Sequence, residues 1–226
     1  MITAVVLDIE GTTSSVRHVH DHLFPYSRAH LPDLLREPSP QVRALFDEAR
    51  ALADRPGATD AEVLDILRDW IDRDVKAPPL KGLQGILWSH GYAAGELTGH
   101  VYPDVPPVLR SWVDAGLGVH IYSSGSTLAQ ADWFRHSDQG DLLPLLGALF
   151  DTRNAGPKGD VASYRAISAA LGTGPAALLF ASDSRAELDA ARAAGWHTVG
   201  VHRPGDPAPD PGPHRWVPDF TTLLTP

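Results

Sequence analysis

Ala4-Val5-Val6-Leu7-Asp8-Ile9-Glu10-Gly11-Thr12 is the stretch on which the reading of this chain turns. A short β-branched run reads as a buried strand, and the two carboxylates at its carboxyl end fall where open α/β sheets bind their ligands. Charge is costly there: an unpaired buried carboxylate costs several kcal/mol or shifts its pKa. Asp8 and Glu10 together therefore imply a cation, a substrate, or both. Gly11 and Thr12 let the chain turn off the sheet edge. A strand that merely exits into solvent could carry the same residues, and the rest of the chain decides between the two.

Residues 13–100 read as helical. Ser39-Pro40 starts a helix with Pro at its first position, and Val42, Leu45, Phe46, Ala49 and Leu52 follow on one face. Asp60 begins a second helix, with Val63, Leu67, Trp70 and Ile71 repeating the pattern, and it ends before Pro78-Pro79. A third is predicted over 80–96. From Tyr102-Pro103-Asp104 onward helices and strands alternate, which implies right-handed crossovers and a mainly parallel sheet. Strands are expected at Val119-His120-Ile121-Tyr122, near Leu149-Phe150, at Ala177-Leu178-Leu179-Phe180 and at Thr198-Val199-Gly200-Val201, with helices between them and Asp160 as an N-cap. The Pro- and Gly-rich stretch 203–213 reads as a loop. The expected fold is α/β: a Rossmann-like, mainly parallel sheet in a core domain of residues 1–13 and 101–226, with a helical cap domain inserted at 14–100 over the sheet's carboxyl edge.

Composition narrows the function. A chain of 226 residues with 43% hydrophobic content can bury a real core. It has no apolar run of the roughly eighteen residues a membrane span needs and no basic segment ahead of an apolar one, so a cytoplasmic protein with no membrane partner is expected. The absence of cysteine excludes disulfides, thiolate nucleophiles and cysteine-held metals. A net charge of −9 with scattered basic residues argues against nucleic acid.

In a parallel sheet all carboxyl ends share one edge, so Asp8 and Glu10, Ser123 and Ser124, Lys158 and Asp183 converge at one cleft. Asp8 and Asp183 would offer hard oxygen ligands to Mg²⁺, which takes a few carboxylates together with waters and phosphate oxygens. Ser123 and the backbone N–H groups of the Ser-Ser-Gly-Ser turn would accept a phosphate oxygen. Lys158 would bind phosphate or neutralise the acids. Glu187, one helical turn beyond Asp183, either orients the metal-binding acid or lies on the helix surface.

This order of an acid pair, a Ser, a Lys and a terminal acid resembles the haloacid dehalogenase-like superfamily of aspartate-nucleophile phosphotransferases over the whole chain. Within it, Asp8-Ile9-Glu10-Gly11-Thr12-Thr13 is similar to the signature of the enolase-phosphatase family of methionine salvage. Leu23-Phe24-Pro25-Tyr26, Leu83-Gln84-Gly85 with Trp88, Ile121 to Ser126, Gly140-Asp141-Leu142, Phe150-Asp151-Thr152 and Arg203-Pro204-Gly205 agree. The resemblance implies an Mg²⁺-dependent hydrolase that enolises 2,3-diketo-5-methylthiopentyl-1-phosphate and releases phosphate to give the acireductone. It implies Asp8 as nucleophile, Glu10 as acid and base, and Asp8, Glu10 and Asp183 as the metal site. Ser123, Ser124 and Lys158 would be the phosphate contacts. The partner would be a small phosphorylated metabolite, and a monomer is expected.

One departure stands out. Val16-Arg17-His18-Val19 replaces a more apolar run of the family, which leaves open a phosphatase for another small phosphorylated metabolite. A non-catalytic protein binding such a metabolite is the reading from a different class, and the complete polar set speaks against it. Other residues have plain readings. Ser124 serves as a turn residue and Ser126 as an N-cap. His18, His20 and His22 alternate as metal ligands can, but on a helix side chains two apart diverge. Trp70 and Trp88 belong to a helical core, and Lys81 and Gln84 to an exposed helix face.

Overall fold

The computed structural model describes residues 1–205 and 211–224. The chain divides into two compact units, Arg17–Leu97 and Met1–Val16 joined with the chain from Thr98 onward.

The first of these is helical. α1 (Val16–His18) continues through a π-helical turn (Val19–Leu23) into α2 (Phe24–His30), and α3 (Pro40–Leu52), α4 (Asp60–Asp72) and α5 (Pro78–Ala94) follow. Ser39 caps α3 by accepting the Val42 N–H at 3.2 Å. Thr59 and Glu62 cap α4 reciprocally, which satisfies two of the amides the helix leaves unpaired. Pro78 and Pro79 form the first turn of α5 rather than a break before it, because a first turn needs no N–H donor and suits proline's fixed φ. Gly95, at φ +73°, ends that helix in the left-handed region.

The apolar stripes of α3, α4 and α5 meet in a core that includes Val42, Phe46, Val63, Leu67, Leu80, Leu83 and Leu87. Gln84 corrects an expectation: it is buried at 4% exposure, because it falls on the same stripe as Leu80, Leu83 and Leu87. Lys81 is exposed. Trp70 packs against the core, and Trp88 Nε1 donates to the Leu23 carbonyl at 3.1 Å. The His18 and His22 rings sit 4.7 Å apart, centre to centre, while His20 packs edge-on against Phe24.

The second unit is built on strands β1 (Ala4–Leu7), β2 (Gly118–Tyr122), β3 (Leu149–Phe150), β4 (Leu178–Ser182), β5 (His197–Val201) and β6 (Arg215–Val217). Among the described residues they form one sheet in the order β3-β2-β1-β4-β5-β6, parallel throughout. β6 lies outside the strands expected from sequence, since three residues after a Pro-rich stretch carry too little periodicity to announce one. The expected loop 203–213 lies partly outside the described residues, at 206–210. Helices α6 (Val105–Asp114), α7 (Thr127–Arg135), α8 (Val161–Leu171) and α9 (Arg185–Ala193) connect the strands. β1 and β4 are buried at every position, as strands covered on both faces must be.

Strand order places the ligand edge. Leu7 pairs with Ile121 on one side and Ala181 on the other, and the connections run outward from β1 in opposite directions. β1 is therefore the topological switch point, where open α/β sheets leave a crevice beyond the strand ends. No helix among the described residues is long and apolar enough to cross a membrane.

Candidate active site

β1 delivers Asp8 to that crevice, 5% exposed, with its backbone N–H still bonded to the Ala181 carbonyl at 3.0 Å. The chain then closes a tight turn. Gly11 N–H donates to the Ser14 carbonyl at 2.7 Å, Ser14 N–H to the Ile9 carbonyl at 2.8 Å, and the Thr13 hydroxyl to the Asp8 carbonyl at 3.0 Å. Gly11 has φ +74°, and a Cβ there would collide with the Asp183 carboxylate, so glycine is required both for the turn and for the approach of that acid. Glu10 is exposed on the same turn, bridged in the β sense to Ser14.

Lys158 reaches Asp8 from the loop ahead of α8. Its Nζ donates to Asp8 Oδ1 at 2.6 Å and lies 2.6 Å from Glu187 Oε2. Three hydroxyls hold that loop by its carbonyls: Tyr122 bonds Gly156 at 2.7 Å, Ser163 bonds Pro157 at 2.7 Å, and Tyr164 bonds Lys158 at 2.8 Å. Tyr122, Tyr164 and Phe180 pack together beneath it. Asp160 stands at the N-cap position of α8, yet its side chain makes no capping bond. Glu187 is no surface acid. Its carboxylate is 18% exposed, paired with Lys158, and accepts the Ser182 hydroxyl at 2.9 Å.

The electrostatics follow from three acids facing one lysine. Burial disfavours the Lys158 ammonium, but Asp8 and Glu187 outweigh it and hold its pKa above the ordinary lysine value. Burial and the neighbouring Asp8 and Glu187 push Asp183 up to about 7. Burial and Asp8 raise Glu187 as well. The surplus of negative charge is what a hard divalent cation would relieve, and the carboxylate oxygens of Asp8 and Asp183 are the donors magnesium prefers. Among the described residues no group of three acidic or histidine side chains is gathered for a metal. Magnesium usually keeps several waters and takes only one or two carboxylates, and a two-carboxylate site fits that habit.

Ser123 ends β2, 5% exposed, while Ser124 is exposed. The backbone N–H of Ser123 donates to the Phe150 carbonyl at 3.1 Å and its hydroxyl oxygen accepts the Gly125 N–H at 3.4 Å, which leaves the O–H proton to offer a ligand. Ser126 caps α7 by accepting the Ala129 N–H at 3.2 Å. Two residues that shape this turn were not among the expected site residues, although Asp151 lies in one of the stretches that agree with the family. Gln130 Nε2 donates to the carbonyls of Gly125 and Phe150, both at 2.8 Å, and Asp151 Oδ2 accepts the Thr127 N–H at 3.1 Å. A lone Gln in a helix and an Asp in a turn look ordinary until the strands are assembled.

A family model for haloacid dehalogenase-like hydrolases matches residues 2–195. An enolase-phosphatase E1 of Streptomyces avermitilis is 56% identical over 208 residues, which cover 91% of this chain and 87% of the relative. An enolase-phosphatase E1 of Nocardia farcinica is 50% identical, over 99% of this chain and 97% of the relative. The crystal structure of the UTR4 protein of Saccharomyces cerevisiae superimposes with a TM-score of 0.82 at 31% identity, over 99% of this chain and 100% of that one.

Proposed function

The chain belongs to the enolase-phosphatase family of haloacid dehalogenase-like hydrolases, and on that premise we propose that it converts 2,3-diketo-5-methylthiopentyl-1-phosphate into the acireductone and phosphate with Asp8 as its nucleophile. The observation that carries the assignment is the Lys158 ammonium, which binds Asp8 Oδ1 and faces Glu187 at the end of β1. With one oxygen held in that way, the other is oriented for attack on phosphorus.

Enolisation moves a proton, in net terms, from the carbon beside a carbonyl to that carbonyl's oxygen as the C=O double bond shifts to C=C. In the phosphatase half, an Asp8 oxygen forms a bond to phosphorus as the ester P–O bond breaks, and Glu10 gives a proton to the departing oxygen. Glu10 then takes a proton from water as the water oxygen bonds to phosphorus and the Asp8–phosphorus bond breaks. Ser123, Ser124 and Lys158 hold the phosphate through these steps. Asp8 and Asp183 would hold Mg²⁺, with Glu10 nearby on the turn and Glu187 orienting the set through Lys158 and Ser182. Magnesium, when bound, supplies positive charge to the phosphate oxygens as they bear negative charge.

Protein, Mg²⁺ and the diketone phosphate are mixed, and enol absorbance and phosphate release are followed together. The expected record is a transient enol preceding phosphate. Phosphate without an enol would remove the enolase half of the proposal and leave a phosphatase.

A further inference from the structure

Arg203 lies just past β5 and has no part in the chemistry above, yet it is 2% exposed. A buried guanidinium is costly unless its charge and its N–H groups find partners. Here Nη1 donates to both Asp104 oxygens at 2.9 Å and Nε donates to the Thr12 carbonyl at 2.8 Å, while buried Nη2 makes no hydrogen bond. Its Cζ stands 4.2 Å from the Tyr102 ring centroid and 5.1 Å from that of Phe220, within cation–π range. Asp104 Oδ2 also accepts the Phe220 N–H at 2.8 Å. Two further rungs join the same limbs of chain: Tyr102 N–H donates to the Thr13 carbonyl at 3.0 Å, and Ser15 N–H donates to His100 Nδ1 at 3.1 Å.

The gripped turn is the one that carries Glu10. Its internal hydrogen bonds join Gly11 to Ser14, Thr12 and Ser14 to Ile9, and Thr13 to Asp8 and Ile9, while the Thr12 carbonyl is held from outside the turn, by Arg203. The planar fork of arginine can reach a carbonyl and a carboxylate at once, with fixed angles between the two. We propose that Arg203 is a positioning residue for proton transfer: by clasping Thr12 to Asp104 it fixes the Glu10 carboxylate relative to Asp8. The inference rests on the acid–base role assigned to Glu10 above. A general acid matters most for a poor leaving group, so a displaced Glu10 slows attack on an alkyl phosphate while a nitrophenyl phosphate departs without its help.

The test compares the full-length wild type, Arg203→Met, Asp104→Asn and Glu10→Gln with Mg²⁺, measuring kcat and KM on 5-methylthiopentyl 1-phosphate, an alkyl ester that lacks the carbonyls and cannot enolise, and on p-nitrophenyl phosphate. For Arg203→Met, kcat/KM on the alkyl ester is expected to fall at least about tenfold more than on the aryl ester, matching the pattern of Glu10→Gln. KM on the alkyl ester should stay within about twofold of wild type. Equal losses on both esters, or no loss on either, would reduce Arg203 to a structural residue and overturn the proposal. If Arg203→Met fails to fold, Asp104→Asn, which keeps shape and removes the charge that anchors the fork, carries the same comparison. Absence of ester discrimination in Glu10→Gln would instead strike the acid–base reading itself, so the two failures are told apart.

Discussion

In the helical unit most ion pairs ride on the surface, the deepest cation being Arg50, 17% exposed, whose partners Asp47 and Asp60 are themselves exposed. Arg28 with Asp72, Arg55 with Glu62 and Arg73 with Asp69 join side chains that are each at least 44% exposed. In the α/β unit Lys158 meets Asp8 and Glu187 at side-chain exposures of 11%, 7% and 18%, and Arg203 meets Asp104 at 2% and 19%. Exposed pairs are screened by water and contribute little, while buried ones carry a desolvation cost that the geometry around them must offset. The helical unit folds through apolar stripes and treats its charges as solubility. The α/β unit concentrates its costly charges on one strand edge, and three acids around one ammonium make little sense for stability alone.

The comparison is tested hardest at Asp8. Asp8→Asn keeps the shape and removes the proposed nucleophile, so phosphate release from the diketone phosphate is expected to fall by on the order of 10⁴-fold or more. Turnover near that of the wild type would end the claim that the buried charges serve catalysis.

Lys158→Met is the next largest effect. It leaves Asp8 and Glu187 without their shared cation and is expected to cost on the order of 3 kcal/mol by denaturant unfolding at neutral pH. A midpoint unchanged from wild type would mean that the acids relax to water and that the cluster is not held as described.

The third test uses pH. The folded state holds the Asp183 proton more tightly than the unfolded chain does, since its carboxyl is raised to about 7 from an ordinary value of 3.8. The unfolded chain therefore binds fewer protons between those values, and stability is lost as pH rises through about 7. Glu187 is shifted in the same direction. In EDTA the thermal midpoint should thus decline from pH 5 to pH 8, and Asp183→Asn should flatten the decline. Identical slopes for the two proteins would refute the account of the cluster. Added Mg²⁺ should oppose the decline if, as proposed, the deprotonated carboxylates hold it.

Smaller effects belong to the helical unit. Thr59→Ala removes one half of the capping box on α4 and is expected to cost about 1 kcal/mol by denaturant unfolding, with activity little changed. Arg28→Met, which breaks an exposed pair, should leave the unfolding midpoint within error of wild type. A large loss there would erase the contrast between the two units.

Most of the architecture could be read along the chain because it follows from local patterns. Ala4 to Leu7 had to be a strand by its β-branched character, Ser39-Pro40 announced a helix by its start signal, and the apolar period from Asp60 announced another, whose cap is Thr59. Asp8, Ser123, Lys158 and Asp183 were legible as a set because parallel topology sends every strand's carboxyl end to one edge. What sequence misjudged is equally physical. Pro78-Pro79 reads as a helix break or a helix start, and only packing decides between them. Gln84 looks solvent-facing by polarity, but its place on the Leu80, Leu83 and Leu87 stripe buried it.

The amino-acid sequence by itself determined the order of elements, the edge where polar residues gather and the family resemblance, because each depends on residues near one another along the chain. Only the tertiary structure decided which charges meet. Whether Lys158 would face Asp8, whether Glu187 would be a surface acid or a partner, and whether Arg203 would clasp Thr12 to Asp104 depend on contacts 150, 29 and 191 positions apart or nearly so in the chain. No local pattern encodes such contacts, since the energy that selects them comes from burying charge with its partners once the sheet is assembled.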